Sequence, residues 1–326
     1  MEHISHMSLE ELPHDVLRII LNMLDTPSVV CMASSCKSLS YLCQDLPLDI
    51  RMAYKKGANF VRFLNKHASK IRTLISKGYF SHGFASAGMW HYPMLPSFQT
   101  LETLKLTCSR VSPCITRDLP VSLKHLECAF GVEPYSMFRT KRLDRLFRLE
   151  TVRLTFCNDY DLVMLDSIRP LQELAILRAP MVLVRTSPKA RKLHIHVTEH
   201  LGNDDRFEDC DELRISITHR HFLPTLDHMM PHAARILSIK CPGRIITPRL
   251  PKGIEHFRFW FDSIVFDLDD LRETHTLQSF ELHSKYVVAI TGTFPVPPHV
   301  QAVATISGDS LPDTVFRAIP LPHQLH

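Results

Sequence analysis

The stretch "HIHVTEH" brings His194, His196 and His200 within seven residues. Neutral imidazoles at i and i+2 of a strand share one face and can hold zinc together. The third ligand would come from beyond the strand and no cysteine is placed nearby, so the reading is no metal site. "THRH" at residues 218–221 is read the same way. The nine cysteines, at positions 31, 36, 43, 108, 114, 128, 157, 210 and 241, form no C-x-x-C pair and are odd in number. They predict reduced, packed thiols rather than a disulfide framework or zinc knuckle. Lys37 follows Cys36 in "CKSLSYLC", but that thiol is expected to pack in a small core. There is no G-x-G-x-x-G, P-loop or G-x-S-x-G, and the whole chain has ten glycines. The sequence therefore predicts no catalytic residue and no cofactor, and a function that rests on binding.

The 326 residues are 45% hydrophobic and 22% charged, with a net charge of +4. These values suit a soluble globular protein with a sizeable core, built as one large elongated domain or as a small domain plus a larger one. No stretch approaches the roughly 20 apolar residues of a membrane span, and "MEHISHM" lacks the basic-then-apolar run of a secretory signal. A reducing compartment, cytoplasmic or nuclear or both, is expected. Residues 1–50 hold seven acids and two bases, whereas residues 51–77 hold eight bases and no acid. A boundary between two units is expected near residue 50.

The larger unit repeats. "LETLKL" begins at Leu101, "LKHLEC" at Leu123, "LETVRL" at Leu149 and "LQELAI" at Leu171, followed by weaker copies at Ala190, Cys210, Ala234, Ile254, Leu277 and Val300. The mean spacing is about 22 residues, and a repeat of 20–29 residues built on L-x-x-L-x-L stacks one strand per turn into a parallel sheet. About ten turns are expected over residues 101–326, with short convex helices in "DLVMLDSIR" and "FDLDDLRET". The ninth position carries no Asn ladder. Several copies instead have a proline three residues before the strand, at Pro120, Pro231, Pro251 and Pro297. Residues 48–100 are expected to be a basic helical linker that caps the stack, with Met52, Phe60, Phe63, Leu64 and Ile71 on its apolar side.

The smaller unit precedes it. Pro13 suits a first helical turn and Asp15 the positive end of the helix dipole. From Val16 to Leu24 only Arg18 and Asn22 are polar. A surface helix shows one apolar stripe, so this helix needs a second buried face. A second helix is expected from Pro27 and a short third one through Leu39, Leu42 and Cys43. Such a trio is marginal alone and gains from docking on something else.

The run Leu12-Pro13-x-Asp15-Val16-Leu17-x-x-Ile20-Leu21-x-x-Leu24-Asp25, followed by Val29, Ala33, Cys36-Lys37 and Leu39, resembles an F-box over residues 9–47, after a flexible segment 1–8. "LPVSLKHLEC" and "LPKGIEHFRF" are similar to the Phe-Asn-Ile-Pro class of leucine-rich-like repeat. Together they resemble an F-box substrate receptor: an α+β chain with a three-helix F-box and an irregular leucine-rich α/β solenoid shaped as a parallel-sheet horseshoe. The resemblance implies docking on the Skp adaptor through Leu12, Pro13, Val16, Leu17, Ile20, Leu24 and Val29, and through the adaptor a link to a cullin and a RING subunit of a ubiquitin ligase. Departures are Ser28 where the family carries an acid, and Leu39 and Tyr41 where it carries an aromatic. The second reading is a non-degradative scaffold that recruits the adaptor without cullin, or whose helices merely cap the solenoid.

Outward strand positions three, five and seven of each copy would line the concave face. They include Arg153, Lys192, His194, His196, Arg214, Lys240, Arg258, Trp260 and His283, with acids at Glu127, Glu173, Glu212 and Glu281. Arg153, Lys192, His194, Arg214, Lys240, Arg258 and Trp260 are the expected contacts to a target protein with an acidic or phosphorylated patch, Trp and Arg being enriched at binding hot spots. Nucleic acid and membrane are not expected as partners.

Overall fold

Apolar fourth and sixth positions with polar ones between them dictate strands that keep one face inside. The computed structural model describes residues 12–24, 28–29, 31–32, 48–52, 66–76, 97–111, 116–130, 137–157, 161–203, 205–219, 226–246, 248–307 and 309–310. Its strands are β1 (Leu48–Met52), β2 (Ile71–Ser76), β3 (Thr103–Val111), β4 (His125–Phe130), β5 (Met137–Arg139), β6 (Thr151–Phe156), β7 (Leu162–Leu165) and β8 (Leu171–Val184). They continue as β9 (Ala190–Asn203), β10 (Cys210–Ile217), β11 (Ala234–Lys240), β12 (Arg244–Ile246), β13 (His256–Asp267), β14 (Ser279–Thr291), β15 (Gln301–Ile306) and β16 (Asp309–Ser310).

Twelve of these strands, β1-β2-β3-β4-β6-β8-β9-β10-β11-β13-β14-β15, lie side by side as parallel rungs, and β16 turns back antiparallel on β15. The register keeps equivalent positions in line. Leu104, Leu126, Val152, Leu174, Leu193, Leu213, Leu237, Phe257 and Phe280 form one continuous inward row, and each is at most 2% exposed. Burying one such side chain contributes about 1.5–3 kcal/mol, so the row is a main source of cohesion.

The expected α+β class, a three-helix unit followed by an α/β solenoid, is overturned. The chain is a parallel β-solenoid, and α1 (His14–Met23) is the only helix longer than about one turn among the described residues. A four-residue helix, α2 (Leu226–Met229), and helical residues at 28–29 and 31–32 complete the α content described. The third helix, expected at Leu39–Cys43, lies outside the described residues. The convex helices are strands or tight turns. "DLVMLDSIR" supplies β7, and "FDLDDLRET" ends β13 in a 3-10 turn over Leu268–Leu271, where the Asp267 carboxylate accepts the Asp269 N–H at 3.0 Å. After a bulge, β8, β9, β13 and β14 run on into a second ladder, in which Met137, Leu162 and Met181, and separately Arg244, Ser263 and Val287, stand in register. Short apolar runs such as "MVLV" and "SIVF" carry no period that separates strand from buried helix. Only the neighbouring rung decides.

The basic stretch read as a helical linker is corrected too. Leu48 pairs with Ile71 and Leu74 with Leu104, so β1 and β2 are two further rungs ahead of the ten counted. The last copy also shifts. Val300 donates its N–H to Pro297 O at 2.9 Å, as a first position does, yet Gln301 pairs with Ser279, a third position. A slip of one residue reverses the faces, so Ala304 is buried and Val303 falls on the outward row with Glu281.

The turns are tied without Asn. Thr100, Ser122 and Thr276, each immediately before the first position of its copy, donate hydroxyls to Ile71 O at 3.2 Å, Leu101 O at 2.8 Å and Ile254 O at 2.8 Å on the preceding rung. Ser122 is buried. Its replacement by Ala strands a carbonyl and is expected to cost about 1–2 kcal/mol, read as a lowered urea midpoint at unchanged m-value.

Candidate protein-docking faces

Helix α1 divides its apolar residues between two sides. Leu17 and Leu21, one turn apart, are 2% and 1% exposed and pack with Val29 in a core of their own, against which Leu12, Leu24 and Met32 lean. Val16, Ile19 and Met23, at i, i+3 and i+7, form a second stripe that is 40%, 61% and 81% exposed. Of the seven residues expected to meet an adaptor, Pro13 and Val16 are exposed, Leu12, Ile20 and Leu24 half-buried, and Leu17 and Val29 inside this core. Ile19 and Met23 were not among them. Their spacing relative to Val16 was the available signal.

On the solenoid, the expected target contacts do share the outward face of the main ladder of rungs. Arg153, His194, Arg214 and Arg258 stand on the fifth-position row and Lys240 and Trp260 on the seventh, with Lys192 on the third. Most of the cations are matched from within. Arg153 pairs with Glu173 at 3.2 Å, Arg258 with Glu281 at 2.9 Å, Lys105 with Glu127 at 3.2 Å, and Arg214 with Glu212. Lys192 stands in register between Glu173 and Glu212. Trp260 stacks on His283, 5.0 Å between ring centroids and 10° from parallel, and His283 is held by Thr305 at 2.8 Å and Glu281 at 3.1 Å.

His194 and His196 lie on one strand face as expected, but each faces a neighbour rather than a shared ion. His194 Nε2 is 3.4 Å from Glu212, and His196 Nε2 is 3.1 Å from the Thr218 hydroxyl. Among the described residues no group of three ligand side chains converges. Burial lowers the pKa of both rings, opposed at His194 by Glu212 and Glu173 and reinforced there by Arg214, and reinforced at His196 by Arg178 and Lys240. The folded pKa values thus lie below the unfolded 6.5, and the unfolded chain binds more protons. Their contribution is complete above pH 6.5 and is lost as pH falls through the folded values. The urea midpoint is expected to drop between pH 7.5 and 5.5, with a shallower slope in a His194→Gln, His196→Gln variant.

Two of the thiols are quiet. Burial pushes Cys210 up to about 12 and Cys241 to about 11, which leaves neither as a nucleophile near neutrality. Among the described residues no helix is long and apolar enough to cross a membrane.

Among the described residues, a helical segment with an exposed apolar stripe thus precedes a repeat array whose strands bury their own apolar rows. Residues 9–51 match the F-box domain family model, and F-box domains bind the Skp adaptor of Skp–cullin–F-box complexes. F-box proteins are in general non-catalytic adaptors. The match extends the expected segment by four residues, to Arg51 in β1. No curated protein and no solved structure matches the chain.

Proposed function

We propose that the chain is the target-selecting subunit of a Skp–cullin–F-box ubiquitin ligase in the cytoplasm or nucleus. The F-box docks on the Skp adaptor, which links it to the cullin and the RING subunit, and the outward sheet face captures a target protein. The carrying observation is the unclaimed stripe of Val16, Ile19 and Met23 on a helix whose opposite side already has its own core. A solenoid whose rungs bury their apolar rows against each other has no need of that stripe, whereas an adaptor protein does. No reactive side chain is required in such a role. The receptor raises the effective concentration of the target beside the ubiquitin-loaded enzyme.

Co-purification of the full chain with the Skp adaptor, followed by detection of the cullin, tests this reading. Both proteins are expected. Adaptor without cullin would establish the non-degradative scaffold instead, and no adaptor at all would leave the helices as a cap on the solenoid.

A further inference from the structure

Among the described residues the arginines of the outward sheet face are paired with glutamates, whereas positive charge without an ion pair stands at Lys240. Lys240 is exposed, and its row neighbours are Ser216 and Trp260, neither of them acidic. No ion pair reaches it among the described residues. It borders a groove of about 590 Å³ shared with His196, Thr218, Trp260, His283 and Lys285. The one acid in the lining, Asp262, points an oxygen at the Gly243 N–H, 3.0 Å away. Lys285 sits over the Tyr286 ring at 5.0 Å and adds a second cation at the rim.

The indole is as important as the charge. Trp260 is pinned in a parallel stack on His283, whose two nitrogens are both engaged, so it offers a fixed apolar plate with little rotamer entropy left to lose. Lys240 and Trp260 belong to adjacent rungs, about 4.8 Å apart by sheet geometry. An extended chain sets side chains of one face about 6.6 Å apart at i and i+2. The two anchors therefore fit side chains within two residues of each other on an extended segment.

We propose that this groove is the place where the solenoid captures its target, and that its occupant is an extended acidic peptide segment with a carboxylate on Lys240 and an aromatic or large apolar side chain on Trp260. This rests on the reading of the solenoid as the target-binding half. Arg153, Arg214 and Arg258, already paired with glutamates, contribute far less.

Panning the full chain against a random dodecapeptide phage library tests the proposal without a known target. The enriched peptides carry Asp or Glu within two residues of an aromatic or large apolar residue. A synthetic, fluorescein-labelled enriched peptide loses about tenfold or more in affinity with Lys240→Glu and with Trp260→Ala. Lys192→Glu and Arg153→Glu leave it within about twofold by the same scale. Circular dichroism melts keep loss of fold apart from loss of contact. Enriched peptides without an acid, no enrichment, unchanged binding by Lys240→Glu, or a preference for an oligonucleotide of equal length would overturn it. Adaptor binding measured on the same preparations separates the two claims. Peptide binding without adaptor binding overturns the ligase role alone, and adaptor binding without peptide binding overturns the groove alone.

Discussion

Placing glutamate at both Val16 and Ile19 is expected to weaken binding of the Skp adaptor by about a hundredfold or more while the chain melts as before. These residues are 40% and 61% exposed, so the free protein accommodates carboxylates there with their hydration intact. In an apolar interface each carboxylate must lose water without gaining a partner, a cost of several kcal/mol per charge against about 1.4 kcal/mol per tenfold in affinity. Leu17→Ala is the informative contrast. Leu17 is 2% exposed in the small core with Leu21 and Val29, and its truncation leaves a cavity that costs about 2–5 kcal/mol. That variant is expected to lose the adaptor through loss of the helical unit, seen as reduced helical signal before any partner is added. Isothermal titration with purified adaptor, beside circular dichroism, tells the two mechanisms apart. Full-strength binding by the double glutamate variant would move the docking face away from α1.

The largest effect on stability is expected from Phe257→Ala. Phe257 is fully buried, stacked on Phe280 at 5.1 Å and 8°, and within 5.2 Å of Phe259 and 5.6 Å of Phe266 between ring centroids. Removing the ring empties a site bounded by β13 and β14, whose backbones are fixed by eleven paired positions and cannot close over it. A loss of about 3–5 kcal/mol follows from the missing burial and the cavity. In a stack where each rung touches only its neighbours, the damage is local first. Amide hydrogen exchange is expected to show β13, β14 and β15 opening ahead of β4 and β6, where Phe130 and Phe156 form a separate contact at 5.4 Å. Uniform loss of protection along the chain would mean that the rungs unfold as a single unit.

How far the sequence could be read depends on which signals are local. Nine of the ten counted copies fall on a rung in the expected phase, because a period-two alternation with Leu, Val or Phe at the fourth position determines which face turns inward. The tenth, at Val300, is one residue out of step: Gln301 rather than Ala302 pairs with Ser279, and the turn before it gives no local sign of the slip. "IRTLIS" of β2 carries Ile71 and Leu74 in the right places, but a serine at its sixth position and the surrounding basic residues gave it the look of a helix edge. The outward arginines and the glutamates of the same face were found in sequence, but not their pairing. Glu212 lies two residues from Arg214 on the same strand, but the partners of Arg153 and Arg258 sit 20 and 23 residues away, across turns of unequal length, and only the register joins them.

By itself, the sequence determined that this protein repeats every 22 residues or so, that its strands keep an inward apolar row, that no nucleotide or nucleophile motif is present, and that residues 9–47 resemble an F-box. Those features are written in short-range spacing, which the backbone of a single strand or helix turn reads directly. The tertiary structure decided that the two connections expected as helices are a strand and a 3-10 turn, that twelve rungs stack where ten were counted, and that Arg153, Arg214 and Arg258 are each paired with a glutamate while no ion pair reaches Lys240 among the described residues. It also decided which side of α1 is left over. Each of these depends on what the neighbouring rung or helix presents, and a buried apolar residue looks alike in any element until its neighbour supplies the missing hydrogen bonds or the missing core.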